Sequence, residues 1–231
     1  MSRIVVANIE IEVIKKNIKN MYLSVSRENG NVRISAPLRT KDERIIEFAL
    51  SKIKWIRKQK EKYENQQGIA ELQYISDEIH YIWGRPYRLE VRYDHKKYVD
   101  IEDDKIMLRV AKDSTPKQRE KLIMEWYRKE LKEKLPELFK KWEGIIGVET
   151  EDIRVKNMKT RWGTCNIKDK RIWINLQLAK KPIRCLEYVI VHELVHLLEA
   201  SHNSIFKKYM DKFLPDWRLI KDELNSNRYK I

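Results

Sequence analysis

The segment His192-Glu193-Leu194-Val195-His196 sets two imidazoles four residues apart with a carboxylate directly after the first, and His202 follows six residues beyond the second. On a helix, positions four apart share a face. His192 and His196 can therefore offer lone pairs to one cation, with Glu193 beside them and within reach of a water molecule. Three neutral imidazoles around an ion with a fourth position open form the ligand pattern of a catalytic zinc site, and a carboxylate next to them has the chemistry of a general base. By chance, such a His-Glu-x-x-His segment arises in about one shuffled sequence of this composition in a hundred, and the third histidine lowers that roughly fifty-fold.

The residues around the motif must position it. Tyr188, Val189, Ile190, Val191, Leu194, Val195, Leu197 and Leu198 make a helix starting near Pro182 apolar on nearly every side, which predicts burial. Histidines and a glutamate in such a helix need partners, and a metal ion supplies them. His202 lies too far along a straight helix to join the same site, so the chain must turn between Leu198 and His202. Glu199 shares the face of His192 and His196. It is read either as a carboxylate that orients a ligand or as a rival ligand, with His202 taken as the third ligand.

Upstream, the alternating segments Ile9–Ile14, Met21–Ser26 and Val32–Ala36, with Asn29-Gly30 between the last two, predict two or three antiparallel strands. Thr40 with Glu43 reads as a capping box, and Ile45, Ile46, Ala49, Ile53 and Ile56 recur at helical spacing to about residue 64. Asn65-Gln66-Gln67-Gly68 reads as a linker. Segments at 78–83, 87–93, 98–101 and 106–110 alternate or favour strand, and are expected to extend the first sheet. Thr115-Pro116 with Gln118 starts a helix whose apolar stripe runs from Leu122 to Trp142 and which ends at Gly144 or Gly147. Pro136 is expected to kink or split it. Strands at 153–157 and 171–175 then precede the metal helix, and no internal repeat is visible. The fold class expected is α+β: an antiparallel β-rich region with a helix over residues 1–112, then a helical catalytic domain with a small sheet over residues 113–231.

Composition narrows the function classes. The chain carries 49 Lys and Arg against 35 Asp and Glu, a net charge of +14, spread as +6 over residues 1–112 and +8 over 113–231. The densest cluster is Lys52, Lys54, Arg57, Lys58, Lys60 and Lys62 beside Trp55 and Tyr63. It reads first as a solvated face and second as a surface for an anionic partner. No apolar run is long enough for a membrane helix, and Glu10 and Glu12 interrupt any secretory leader. Two cysteines, Cys165 and Cys185, are too few for a disulfide framework and read as small buried residues. A cytoplasmic enzyme is expected, with no prediction of its oligomeric state.

The ordered set Lys159-Thr160-Arg161-Trp162-Gly163-Thr164-Cys165, Ile174-Asn175-Leu176, His192-Glu193-Leu194-Val195-His196 with His202, then Phe206 and Leu214-Pro215-Asp216-Trp217 resembles the YgjP-like metal-dependent hydrolases, which are related to the zincin metallopeptidases. Ser35-Ala36-Pro37 and Lys54-Trp55-Ile56 extend the resemblance over nearly the whole chain. The chain departs from the family pattern with Ser201 and Asn203 around the third histidine and with Lys207 in place of an aromatic residue.

The resemblance implies one Zn²⁺ per chain held by His192, His196 and His202, with Glu193 as general base for hydrolysis. Arg161, next to Trp162-Gly163, is the second catalytic candidate, either stabilising negative charge or stacking structurally on Trp162. A peptide substrate is the first expectation. Nucleoside triphosphate hydrolysis with pyrophosphate release is the alternative, although no Gly-rich phosphate loop is present. A nucleic-acid-associated factor ranks below both.

Overall fold

The computed structural model describes residues 2–26, 30–67 and 72–226. The chain divides into two compact units, residues 1–71 and 72–231.

In the first unit, β1 (Ser2–Val6) and β2 (Ile9–Lys16) form a hairpin whose two turn residues, Ala7 and Asn8, both have positive φ (49° and 63°). That is the tight turn whose twist matches its strands. The sequence reading did not anticipate β1. β3 (Tyr22–Val25) and β4 (Val32–Pro37) complete a sheet of order β1-β2-β4-β3. The expectation of purely antiparallel strands is corrected, because β2 and β4 run parallel, with Ile11 opposite Val32 and Val13 opposite Ile34. The Asn29-Gly30 turn signal falls partly on residues outside those described.

Alternation sends Ile9, Ile11, Val13, Val32, Ile34 and Ala36 to one face, where Ile45, Ala49 and Ile56 of two helices close the core. These helices are α1 (Asp42–Ser51) and α2 (Ile53–Gln67). Lys41, not Thr40, precedes the first, and no side-chain cap forms there. The residues read as a linker, Asn65 to Gln67, finish α2 as helix.

The second unit opens with β5 (Ile79–Ile82), β6 (Arg85–Tyr93), β7 (Tyr98–Glu102) and β8 (Lys105–Val110), a separate sheet of order β5-β6-β8-β7 rather than an extension of the first. Its order and its antiparallel, parallel and antiparallel pairings repeat those of the first sheet. No sequence period announces this repeat of topology.

The unit's long helix, α3 (Pro116–Ile146), has the expected capping box at Thr115 and Gln118 and ends at Gly147 in left-handed conformation (φ 81°). Pro136 does not split it. The carbonyl that this proline leaves without a helical donor belongs to exposed Lys132, where water can satisfy it, while Leu131, Leu135 and Phe139 hold the opposite side in the core. Leu89, Ile106 and Leu108 of the sheet share one core with α3 and with the helix that carries His192 and Glu193. An apolar sheet face needs that cover, so the boundary expected at 112 falls inside this unit.

A small sheet follows: β9 (Asp152–Lys156), β10 (Gly163–Asn166) and β11 (Arg171–Asn175), in the order β10-β11-β9. The 3₁₀ turn Leu176–Lys180 leads from β11 into α4 (Ile183–Val195), and α5 (Ser204–Phe213) and α6 (Trp217–Asn225) complete the unit. The architecture is α+β. Among the described residues, no helix is long and apolar enough to cross a membrane.

Candidate metal centre

α4 carries His192 and Glu193 in its last turns and ends at Val195, so His196 is the first residue beyond the helix. The chain turns there, earlier than the sequence suggested. Backbone bonds from Leu198 and Glu199 back to Val195 tighten the turn, and Asn203 starts α5 by accepting from the amides of Ile205 and Phe206 at 2.8 and 3.0 Å. That path returns His202 to the helix, with its Nε2 2.9 Å from Nε2 of His192. One ligand atom from each of His192, His196 and His202 lies within 4.8 Å of the others.

The three rings pack edge-on or tilted against Phe206, with centroids 4.9, 4.8 and 4.7 Å from it. Phe206 is buried and packs against all three rings of the cluster, a role that its place in the sequence motif does not reveal.

The donor chemistry fits a divalent cation. Burial pushes the His192 imidazole down to about 3, reinforced by His196 and His202, and burial also lowers His196, so both favour the neutral form that ligates. Nδ1 of His196 lies 3.2 Å from the carbonyl oxygen of Glu199. A carbonyl can only accept, so Nδ1 carries the proton and Nε2 keeps its lone pair. Two Nε2 atoms 2.9 Å apart also require a proton or a cation between them.

Glu199 meets neither sequence expectation through its carboxylate, which accepts from the backbone and hydroxyl of Ser201 at 3.1 Å and shapes the loop to His202. Its carbonyl, not its side chain, orients the His196 imidazole.

Glu193 is buried, 5% exposed, and sits against β10. Burial pushes its carboxyl up to about 8, while Arg161 and the Cys165 amide pull the other way. A Cβ built on Gly163 would stand 2.6 Å from Oε1 of Glu193 and 2.8 Å from Cγ1 of Val189, so only glycine leaves room for the carboxylate. Gly163 is thus a site residue that the sequence reading saw only as part of a signature.

Trp162 O accepts from Asn175 N at 2.9 Å, which sets the hydrogen-bonding phase of β10. Thr164 faces β11, and the backbone groups of Gly163 and Cys165 face the open edge beside Glu193.

These residues line a cleft of about 560 Å³ with Arg161, Trp162, Tyr188 and Ile167. Arg161 is exposed at its wall; among the described residues the cation over the Trp162 indole is Lys181, at 5.5 Å, and Asn225 accepts the indole N–H at 3.2 Å. Cys185 is buried as expected, but Cys165 is only half-buried and lines the cleft.

Comparison with known proteins gives a family match and distantly similar structures. The family model described as YgjP-like, metallopeptidase domain, matches residues 19–227. No curated protein matches. Among solved structures, the metallopeptidase zymogen of Pyrococcus abyssi abylysin is similar at 22% identity, over 38% of this chain and 88% of that one, with a TM-score of 0.35. The metallopeptidase zymogen of Methanocaldococcus jannaschii jannalysin is similar at 20% identity, over 38% and 91%, with a TM-score of 0.35.

Proposed function

The chain belongs to the YgjP-like metallopeptidase family, and from that premise we propose that it is a zinc-dependent peptidase with His192, His196 and His202 as ligands and Glu193 as general base. One observation carries the reading: the three imidazoles, the buried carboxylate and an open strand edge meet in a single cleft. His192, His196 and His202 would hold the Zn²⁺ ion, which would supply Lewis acidity towards water and a substrate carbonyl.

The chain's own groups do the rest. Glu193 takes a proton from the attacking water and can return it to the leaving amine. The Cys165 amide holds that carboxylate in place. The free edge of β10 suits an extended peptide, whose backbone would add a strand next to Glu193. Arg161, the one arginine or lysine among the described lining residues, stabilises charge developing on the substrate oxygen. A single cation is a poor match for a triphosphate, so peptide ranks ahead of nucleotide.

The test is Glu193→Gln, assayed on peptide and nucleoside triphosphate panels alongside metal content. Expected are an unchanged metal content and a loss of peptide cleavage by about 10²–10⁴-fold. Full turnover in the variant would remove Glu193 from the mechanism, and turnover of triphosphates alone would replace the substrate class.

A further inference from the structure

The segment from Asn157 to Arg161 brings Arg161 and the start of β10 to the cleft outside any helix or strand. Its backbone groups need other partners. Three of them, the amide and carbonyl of Met158 and the carbonyl of Arg161, find theirs on one buried side chain, Asn175, the last residue of β11, 3% exposed. Nδ2 of Asn175 donates to the carbonyls of Met158 (2.9 Å) and Arg161 (2.6 Å), and Oδ1 accepts from the amides of Met158 (3.2 Å) and Gln177 (3.1 Å).

Both donors and both lone pairs are used, so the orientation of the amide is fixed. The bond from Gln177 makes Asn175 the cap of the 3₁₀ turn that leads into α4. One amide therefore touches both halves of the site, the loop carrying Arg161 and the turn leading to His192 and Glu193.

We propose that Asn175 is a positioning residue that fixes the Arg161 loop against the 3₁₀ turn leading into α4, and so acts on substrate turnover through Arg161 while leaving metal binding alone. The inference rests on the peptidase reading for its kinetic consequence. Its structural half stands apart from that reading. No other side chain fits: aspartate lacks both donors, leucine lacks all four groups, and glutamine is one methylene too long for a buried slot.

The discriminating variant is Asn175→Asp, which keeps the acceptors for Met158 and Gln177 and loses the two donors. Amide exchange by residues 158–163 is expected to quicken about tenfold or more, with α4 amides and metal content unchanged. Peptide kcat/KM is expected to fall about tenfold in the native background and less than twofold in an Arg161→Ala background, because the effect passes through Arg161. Unchanged exchange in the loop, or the same loss in both backgrounds, would overturn the proposal.

If the variant does not fold, the wild type still decides the structural half. Its Met158 amide, although in an irregular segment, must exchange at least about a hundredfold more slowly than an unprotected amide; free exchange there refutes the latch. A wild type that cleaves no peptide would defeat the peptidase reading, while the exchange measurements would still decide whether Asn175 holds the loop.

Discussion

Replacing Gly163 with alanine puts one methyl group into the contact between β10 and Glu193, the proposed general base. The added Cβ would lie 2.6 Å from Oε1 and 2.8 Å from Cγ of Glu193, and 2.8 Å from Cγ1 of Val189. To move from 2.6 Å to the 3.4 Å of ordinary contact, the carboxylate or the strand must shift by about 0.8 Å. Glu193 and Val189 are both buried on α4, so neither side can yield freely. Overpacking of this kind costs about 1–3 kcal/mol, which lowers the melting temperature of a unit this size by roughly 2–12 °C. A displacement near 1 Å in a reacting group costs about a hundredfold in rate. The three nearest atoms belong to Glu193 and Val189 and none to a histidine, so metal binding should survive. The assay is kcat on a cleaved peptide, with metal per chain and thermal unfolding measured on the same sample. Wild-type kcat and melting temperature in Gly163→Ala would show that the carboxylate does not sit against β10, and the general-base geometry would go with it.

Three further outcomes follow from the same structure. His202→Ala should weaken zinc binding by at least about a hundredfold in chelator competition while leaving metal-free stability within about 0.5 kcal/mol, because the residue is exposed on a loop; undiminished affinity would remove it from the ligand set. Gly84 combines φ of 78° with a close approach to Pro182 at the start of α4, where an added Cβ would meet Pro182 Cγ at 2.7 Å. Gly84→Ala should therefore cost roughly 2–4 kcal/mol in urea unfolding, and a change under about 0.5 kcal/mol would contradict the packing. His80 is fully buried, and burial, with Lys180 adding to it, pushes its imidazole down to about 4 despite Glu78. Protonation is thus easier in the unfolded chain, so the stability His80 allows is present above about pH 6.5 and lost as pH falls toward 4, up to roughly 3 kcal/mol. Unfolding of metal-free protein at pH 7 and 4.5 should show a smaller acid loss in His80→Phe than in the wild type; an equal loss would place the acid sensitivity elsewhere.

The sequence by itself determined the parts that depend on local spacing. The four-residue spacing of His192 and His196 brought both to one side at the end of α4, the apolar residues around them required burial, and the Thr115-Pro116-Gln118 arrangement formed its capping box as written. Strand positions from 79 to 110 were also legible, since alternation is a local property. Partners distant in sequence were not. Nothing local distinguishes a parallel pairing of β2 with β4 from an antiparallel one, or tells β5–β8 to pack on α3 rather than extend the first sheet. Pro136 looked like a break because the loss of one hydrogen bond is visible in sequence, whereas the solvent beside Lys132 and the core contact of Leu135 are not. Gly163 and Asn175 stood in recognisable motifs, yet their roles come from atoms thirty residues away for one and about fourteen to seventeen for the other. Residue type fixed which atoms could ligate or transfer a proton. Tertiary structure alone decided which of them meet, because close approach between distant segments is set by packing and not by spacing along the chain.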